Sequence, residues 1–166
     1  MPPGNNMTDK KRNVLFVCTG NICRSPMAEY LFRNRLPPHA PFEAASAGLA
    51  AASGLTASRD AINAMAEIGI NIRDHASRAL TGGLVDRAAI IVVMTASQAA
   101  ELKRHFPKAR DRVHLLGDFG RKPGNRDIAD PIGSGPDTYR RTLKDIDACL
   151  EGLIRFLQSL QSNKPQ

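Results

Sequence analysis

A chain of 166 residues with 42% hydrophobic and 23% charged residues suits one globular domain around one core. Its formal net charge of +7 is scattered, aromatics are only 5%, and no RNP-like or zinc-finger spacing occurs, which favours a solvated basic surface over a nucleic-acid binder. No apolar run is long enough to cross a bilayer, the first residues lack a signal-peptide pattern, and three cysteines do not make a disulfide framework, so the chain reads as cytoplasmic.

Residues 1–12, with Lys10, Lys11 and Arg12, read as a flexible solvated extension. The folded domain is expected over 13–160, and 161–166 as a frayed tail. Residues 13–17 are a short apolar, β-prone run, expected as a strand buried on both faces. A loop over 18–25 follows, with Gly20 and Asn21 as loop formers. Ser25 is a good N-cap, Pro26 suits the first helical position, and Ala28, Leu31 and Phe32 share a face, so a helix is expected from there to Pro37-Pro38.

A second strand is expected over 42–47 and a helix over 56–68, stopped by Gly69. Residues 88–94 form the clearest buried strand. A helix over 97–106 ends at Pro107, and 112–116 is a last short strand. A Gly/Pro/Asp-rich loop covers 117–135. The final helix carries a stripe of Tyr139, Leu143, Ile146, Leu150, Leu153, Leu157 and Leu160. Strands alternating with helices predict an α/β fold with a parallel sheet and helices on both faces, and ligands beyond the carboxyl ends of the strands. The loop that begins at Cys18 is therefore the leading site.

That loop is Cys18-Thr19-Gly20-Asn21-Ile22-Cys23-Arg24-Ser25. Between a strand end and a helix start, successive backbone N–H groups can face one concave turn, and the helix N-terminus adds partial positive charge. Arg24 can close this anion cradle with a planar fork matched to two phosphate oxygens. A thiol in such surroundings loses its proton readily and becomes a nucleophile beside bound phosphate. A Walker A reading fails, because no Gly-Lys-Ser/Thr closes the loop. Attack by sulfur needs a proton donor for the leaving oxygen. Asp127 and Asp130 are both available before the last helix, and Asp130 is the better candidate because Pro131 restricts its backbone.

The run from Val14 through Cys18, Arg24, Ser25 and Pro26 to Glu29, together with Asp130-Pro131, resembles the low-molecular-weight protein tyrosine phosphatases. The likeness continues through Ser46-Ala47-Gly48, Asp74-His75-Ala76-Ser77-Arg78 and Val93-Met94-Thr95. It implies a single-domain, three-layer fold with a central four-stranded parallel sheet. It implies Cys18 as nucleophile, Arg24 as phosphate clamp and Asp130 as general acid and then base, with Asn21, Ser25, Ser46 and His75 supporting the loop. No metal or other cofactor is implied. Phosphorylated proteins or peptides are the implied substrates, and a monomer or weak dimer the expected state.

The chain departs from the family pattern around the pocket. Ile132 and Gly133 follow Asp130-Pro131 where eukaryotic members place aromatics, and the segment around Ala50 is alanine-rich. The stretch from Asp130 to Gly135, followed by Tyr139, is similar to a bacterial branch that includes protein-arginine phosphatases. In that branch arginine selectivity goes with Thr at the position of Ile22. An apolar wall at Ile22 favours an aryl ring over a guanidinium whose donors would go unpaired. Ile22, Ala50 and Ile132 are the candidate pocket residues; Tyr139 is expected to pack within its stripe, though it lies near enough to the Asp130 loop to line the pocket entrance. Phosphotyrosine is the expected substrate, with phosphoarginine as the alternative. Arsenate reduction fits less well, because Cys149 is badly placed to relay a disulfide, and a non-catalytic phosphate binder or a nucleic-acid binder fits less well still. For Cys23 the resemblance implies a reversible disulfide with Cys18; the other reading is a small apolar support for the loop.

Overall fold

Val14, Leu15, Phe16 and Val17 are fully excluded from solvent, and alternation of their side chains explains why none is polar. Val14 and Phe16 join one apolar cluster, and Leu15 and Val17 join a second on the opposite face of the sheet. In the computed structural model, which describes residues 10–121 and 124–163, this strand runs Arg12–Cys18 (β1). It pairs in parallel with Phe42–Gly48 (β2) on one side and Ala88–Val93 (β3) on the other, and β3 pairs with Val113–Leu115 (β4). The sheet order β2-β1-β3-β4 is the four-stranded parallel sheet expected from the sequence.

Helices cover both faces, giving three layers. Arg24–Arg35 (α1), Arg59–Glu67 (α2) and Pro136–Ser162 (α5) pack on the Val14/Phe16 side, burying Met27, Leu31, Met65, Ile146, Leu150 and Leu153. Gly82–Arg87 (α3) and Ala96–His105 (α4) cover the other side with Leu84, Val85 and Leu102. From β1 the chain crosses through α1 to β2 at one edge, whereas β3 leads through α4 to β4 at the other. The strand order reverses at β1 and β3, so the loop after β1 opens at the switch point where α/β sheets bind ligands.

Several boundaries differ from expectation for local reasons. Arg12 belongs to β1, in register with Phe42, so it is not part of the extension; residues 1–9 lie outside the described residues. The first helix starts at Arg24 with Cys23 in the cap position, and Ser25 does not cap it because its hydroxyl is held inside the loop. α2 begins after Ser58, whose Oγ accepts the Ala61 N–H at 3.3 Å, and is shorter than the 56–68 expectation. The six-residue α3, capped by Thr81, was not foreseen, since Gly82-Gly83 argues against a helix. A 3-10 turn at Leu116–Phe119 occupies the start of the expected loop. α5 continues through Gln161 and Ser162, which the sequence places in the tail, and residues 164–166 lie outside the described residues. Its stripe is buried apart from Leu160, which is 38% exposed.

Candidate active site

Cys18 closes β1, and its sulfur lies 2.9 Å from Ser25 Oγ and accepts the Asn21 backbone N–H at 3.3 Å. The loop turns at Asn21, whose φ of 56° is a left-handed conformation that asparagine tolerates better than most residues. The Asn21 side chain is buried and fully engaged. Its Nδ2 donates to Ser25 Oγ at 2.8 Å and to Ser46 Oγ at 2.9 Å, and its Oδ1 accepts the Arg78 N–H at 3.0 Å. The Asn21 carbonyl lies 2.7 Å from His75 Nε2. Because the amide gives both its hydrogens to the two serines, the Ser25 hydroxyl proton is left to point at Cys18 sulfur.

The neighbouring segment clamps the loop from the side. Leu49 N–H donates to the Cys18 carbonyl and Ala50 N–H to the Thr19 carbonyl, both at 2.9 Å, and Ser58 N–H donates to the Ile22 carbonyl at 2.8 Å. This approach requires glycine at position 48, where a Cβ would sit 2.5 Å from the Thr19 carbonyl oxygen and 2.7 Å from Ala51 Cβ.

Arg24 is buried, with Nη1 donating to the Ile128 carbonyl at 2.9 Å and Nη2 lying 3.5 Å from Asp130 Oδ2. Asp130 is half-exposed, and its Oδ1 accepts the Ile132 N–H at 3.2 Å, which turns the chain after Pro131. Asp127, the other acid weighed in the sequence, instead accepts the Ala96 N–H at 2.8 Å and caps α4. A cavity of about 170 Å³ is lined by Cys18, Thr19, Gly20, Asn21, Ile22, Cys23, Arg24, Asp130 and Ile132. Nucleophile candidate, cationic clamp and acid candidate thus meet in one depression, with Ile22 and Ile132 as its aliphatic wall.

Ala50 and Tyr139 do not line the cavity, and Tyr139 takes the packing position that its stripe predicts. Tyr139 is buried beneath the loop, with its hydroxyl 3.2 Å from Cys23 sulfur and accepting the Ser58 hydroxyl at 3.1 Å. Burial and the Cys23 bond push its phenol up to about 12. Ala50 is exposed outside the residues that line the cavity, and touches the loop through its backbone. Cys23 is buried as well, and burial raises its thiol, opposed by the Ser58 and Tyr139 hydroxyls. Cys149 is buried on α5 against Gly120, among residues separate from this cavity. Among the described residues no group of three or more His, Cys, Asp or Glu side chains could hold a metal ion.

Sequence reasoning missed two contacts. Glu29, read only as the end of a motif, is buried on α1; desolvation pushes its carboxyl up, against the opposing pull of Arg33 and the Ser46 hydroxyl. Gln98 donates Nε2 to Thr19 Oγ1 at 3.1 Å from the first turn of α4. The Thr95-x-x-Gln98 spacing could have signalled a helix cap, but nothing in it points to the loop.

A parallel α/β sheet whose first strand ends in a thiol, inside a turn that opens onto a buried guanidinium, is the architecture of a small phosphatase. The family model described as low molecular weight phosphotyrosine protein phosphatase matches residues 13–166. The probable low molecular weight protein-tyrosine-phosphatase EpsP of Ralstonia solanacearum is 42% identical over 149 residues, covering 90% of this chain and 98% of that protein. A protein-arginine-phosphatase of Geobacillus stearothermophilus is 36% identical over 148 residues, covering 89% and 97%. The solved structure of the YwlE arginine phosphatase from Geobacillus stearothermophilus superposes with a TM-score of 0.83 at 35% identity, over 93% of this chain and 98% of that one. This chain belongs to the low molecular weight phosphotyrosine protein phosphatase family.

Proposed function

We propose that this chain is a protein tyrosine phosphatase that works through a phosphocysteine on Cys18, with Arg24 holding the phosphoryl group and Asp130 handling the proton. The observation that carries this is the convergence of the three side chains on one cavity, with Arg24 bonded to Ile128 and facing Asp130. Cys18 sulfur, as thiolate, attacks phosphorus; the P–O bond to the substrate breaks as the P–S bond forms. Asp130 gives its proton to the leaving oxygen, so the departing group is a neutral phenol. Arg24 has donors beyond the one given to Ile128, and these neutralise charge on the phosphoryl oxygens. Water then attacks phosphorus, Asp130 takes its proton, and the P–S bond breaks to release phosphate and restore the thiolate. The Ser25 hydroxyl, oriented by Asn21, stabilises the sulfur charge at the start and at the end.

Asn21, Ser46 and His75 act in this reading by fixing the loop rather than by touching substrate. The reading extends to phosphorylated proteins or peptides as substrates, no metal requirement and no nucleic-acid partner, with a folded unit that takes in Arg12 and Ser162 acting in the cytoplasm as a monomer or weak dimer.

The choice of phosphotyrosine rests on the aliphatic wall of Ile22 and Ile132, which offers an aryl ring contact and gives a guanidinium no acceptor. Phosphoarginine is the second reading, favoured by the likeness in sequence and in fold to arginine phosphatase from Geobacillus stearothermophilus. Turnover of phosphotyrosine and phosphoarginine peptides by wild type and Ile22→Thr decides between them. The expected result is a wild-type preference for phosphotyrosine that shifts toward phosphoarginine in Ile22→Thr. A wild-type preference for phosphoarginine, or a preference that Ile22→Thr leaves untouched, overturns the selectivity argument.

A further inference from the structure

Gln98 sits at the third position of α4 and its oxygen completes a capping box: Oε1 accepts the Thr95 N–H at 3.1 Å and the Met94 N–H at 3.0 Å. Thr95 Oγ1 accepts the Gln98 N–H in return, at 3.2 Å. A glutamate would fill this role equally, since the cap needs only an acceptor, and its charge would suit the helix N-terminus. The amide nitrogen is therefore not needed by the cap. It reaches across to Thr19 Oγ1 at 3.1 Å, although the two residues are 79 positions apart.

Thr19 is the residue directly after Cys18, is exposed, and lines the cavity. Its backbone carbonyl is held by Ala50 N–H and its side chain by Gln98, so a rim residue is fixed at both ends. The polarity of the side-chain bond matters. Gln98 nitrogen can only donate, so Thr19 oxygen must accept, and the Thr19 hydroxyl proton is free for the pocket. A carboxylate at position 98 would instead take that proton and turn the donor away from the pocket.

We propose that Gln98 is a positioning residue that presents the Thr19 hydroxyl as a donor to an oxygen of the bound phosphoryl group. This rests on the phosphatase reading above, and adds to it a neutral side chain from a second helix that governs anion affinity. Thr19 makes the contact; Gln98 acts through it.

The experiment compares Gln98→Glu, Thr19→Val and the double variant with wild type, using inorganic phosphate in titration calorimetry and p-nitrophenyl phosphate in turnover. Gln98→Glu is expected to stay folded, because the cap acceptor is retained at a position only 4% exposed, while phosphate affinity and kcat/KM each fall roughly tenfold, the size of one lost charge-assisted hydrogen bond. In the Thr19→Val background the same change is expected to alter phosphate affinity less than about threefold, since the donor is already gone. Wild-type phosphate affinity in Gln98→Glu overturns the proposal, as does an equal loss with and without the Thr19 hydroxyl, which would assign the effect to charge alone. A fall in melting temperature with unchanged affinity reduces Gln98 to a cap and overturns it too. Wild type that binds phosphate and turns over no aryl phosphate would instead overturn the phosphatase reading, and the calorimetry would still decide the role of Gln98.

Discussion

The Tyr139 hydroxyl lies 3.2 Å from the Cys23 sulfur, and Ser58 Oγ closes the triangle at 3.4 Å from that sulfur and 3.1 Å from the phenol oxygen. Through it the first turn of α5 and the cap of α2 both brace the rear of the loop that begins at Cys18. The triangle has a consequence for alkaline stability. Tyr139 titrates near 12 when folded and near 10 when exposed, so the folded state holds the proton more tightly. The contribution is complete below pH 10 and is lost as pH rises toward 12. Tyr139→Phe should be less stable than wild type by about 1 kcal/mol at pH 8, and the difference should shrink through that alkaline range. Urea unfolding of both proteins at stepped pH measures it. A gap that stays constant or widens would show that the phenol is not buried against Cys23.

Asp127 and Asp130 stand three positions apart and make different contacts, the one with the Ala96 N–H and the other with Arg24. Asp127→Ala removes the acceptor for Ala96 N–H and should lower stability by about 0.5–2 kcal/mol, the range for a lost helix cap. Its effect on phosphoryl transfer should be slight. Asp130→Ala should lower the rate of phosphoenzyme formation by roughly 10²–10⁴ for an alkyl or phenyl phosphate and far less for p-nitrophenyl phosphate. Stopped-flow measurement over a series of leaving groups separates the two acids. An equal loss on good and poor leaving groups in Asp130→Ala would remove its role as proton donor.

Gly48 is where the end of β2 meets the loop most closely. An added Cβ meets the Thr19 carbonyl oxygen at 2.5 Å and Asn21 Cβ at 3.1 Å, and backbone atoms cannot swing aside as a side-chain end would. Gly48→Ala should cost about 1–3 kcal/mol as overpacking and should lower kcat/KM with it, because the displaced residues belong to the loop. Thermal melts and aryl phosphate turnover on the same samples test this. A variant with native stability and activity would mean that β2 does not fix the loop.

Much of the fold was legible because its signals are local and periodic. The apolar run of β1, the Ile90 to Val93 core of β3 and the α5 stripe each carry a pattern that only one packing satisfies. A cysteine six positions before an arginine is a weak signal alone; the strand before it, the helix after it and the family resemblance are what point to this loop, and the structure brings Cys18, Asn21, Arg24 and Ser25 together. The misplaced residues are those whose role depends on a distant partner. Ser25 looks like a helix cap until Asn21 and Cys18 take its hydroxyl. Tyr139 packs in the stripe as its spacing predicts, but the contacts of its hydroxyl with Cys23 and Ser58 come from two other elements and leave no local signal. Gln98 shows its cap in the sequence and hides its contact with Thr19, and α3 is too short and too glycine-rich to announce itself.

The central claim is a covalent bond between phosphorus and one sulfur. Wild type and Asp130→Ala mixed rapidly with p-nitrophenyl phosphate and quenched in acid should yield, on digestion and mass spectrometry, the peptide containing Cys18 with one added phosphoryl group. Cys18→Ala should give no turnover and no labelled peptide. Turnover that persists in Cys18→Ala, or a label on Cys23 in place of Cys18, would contradict the account.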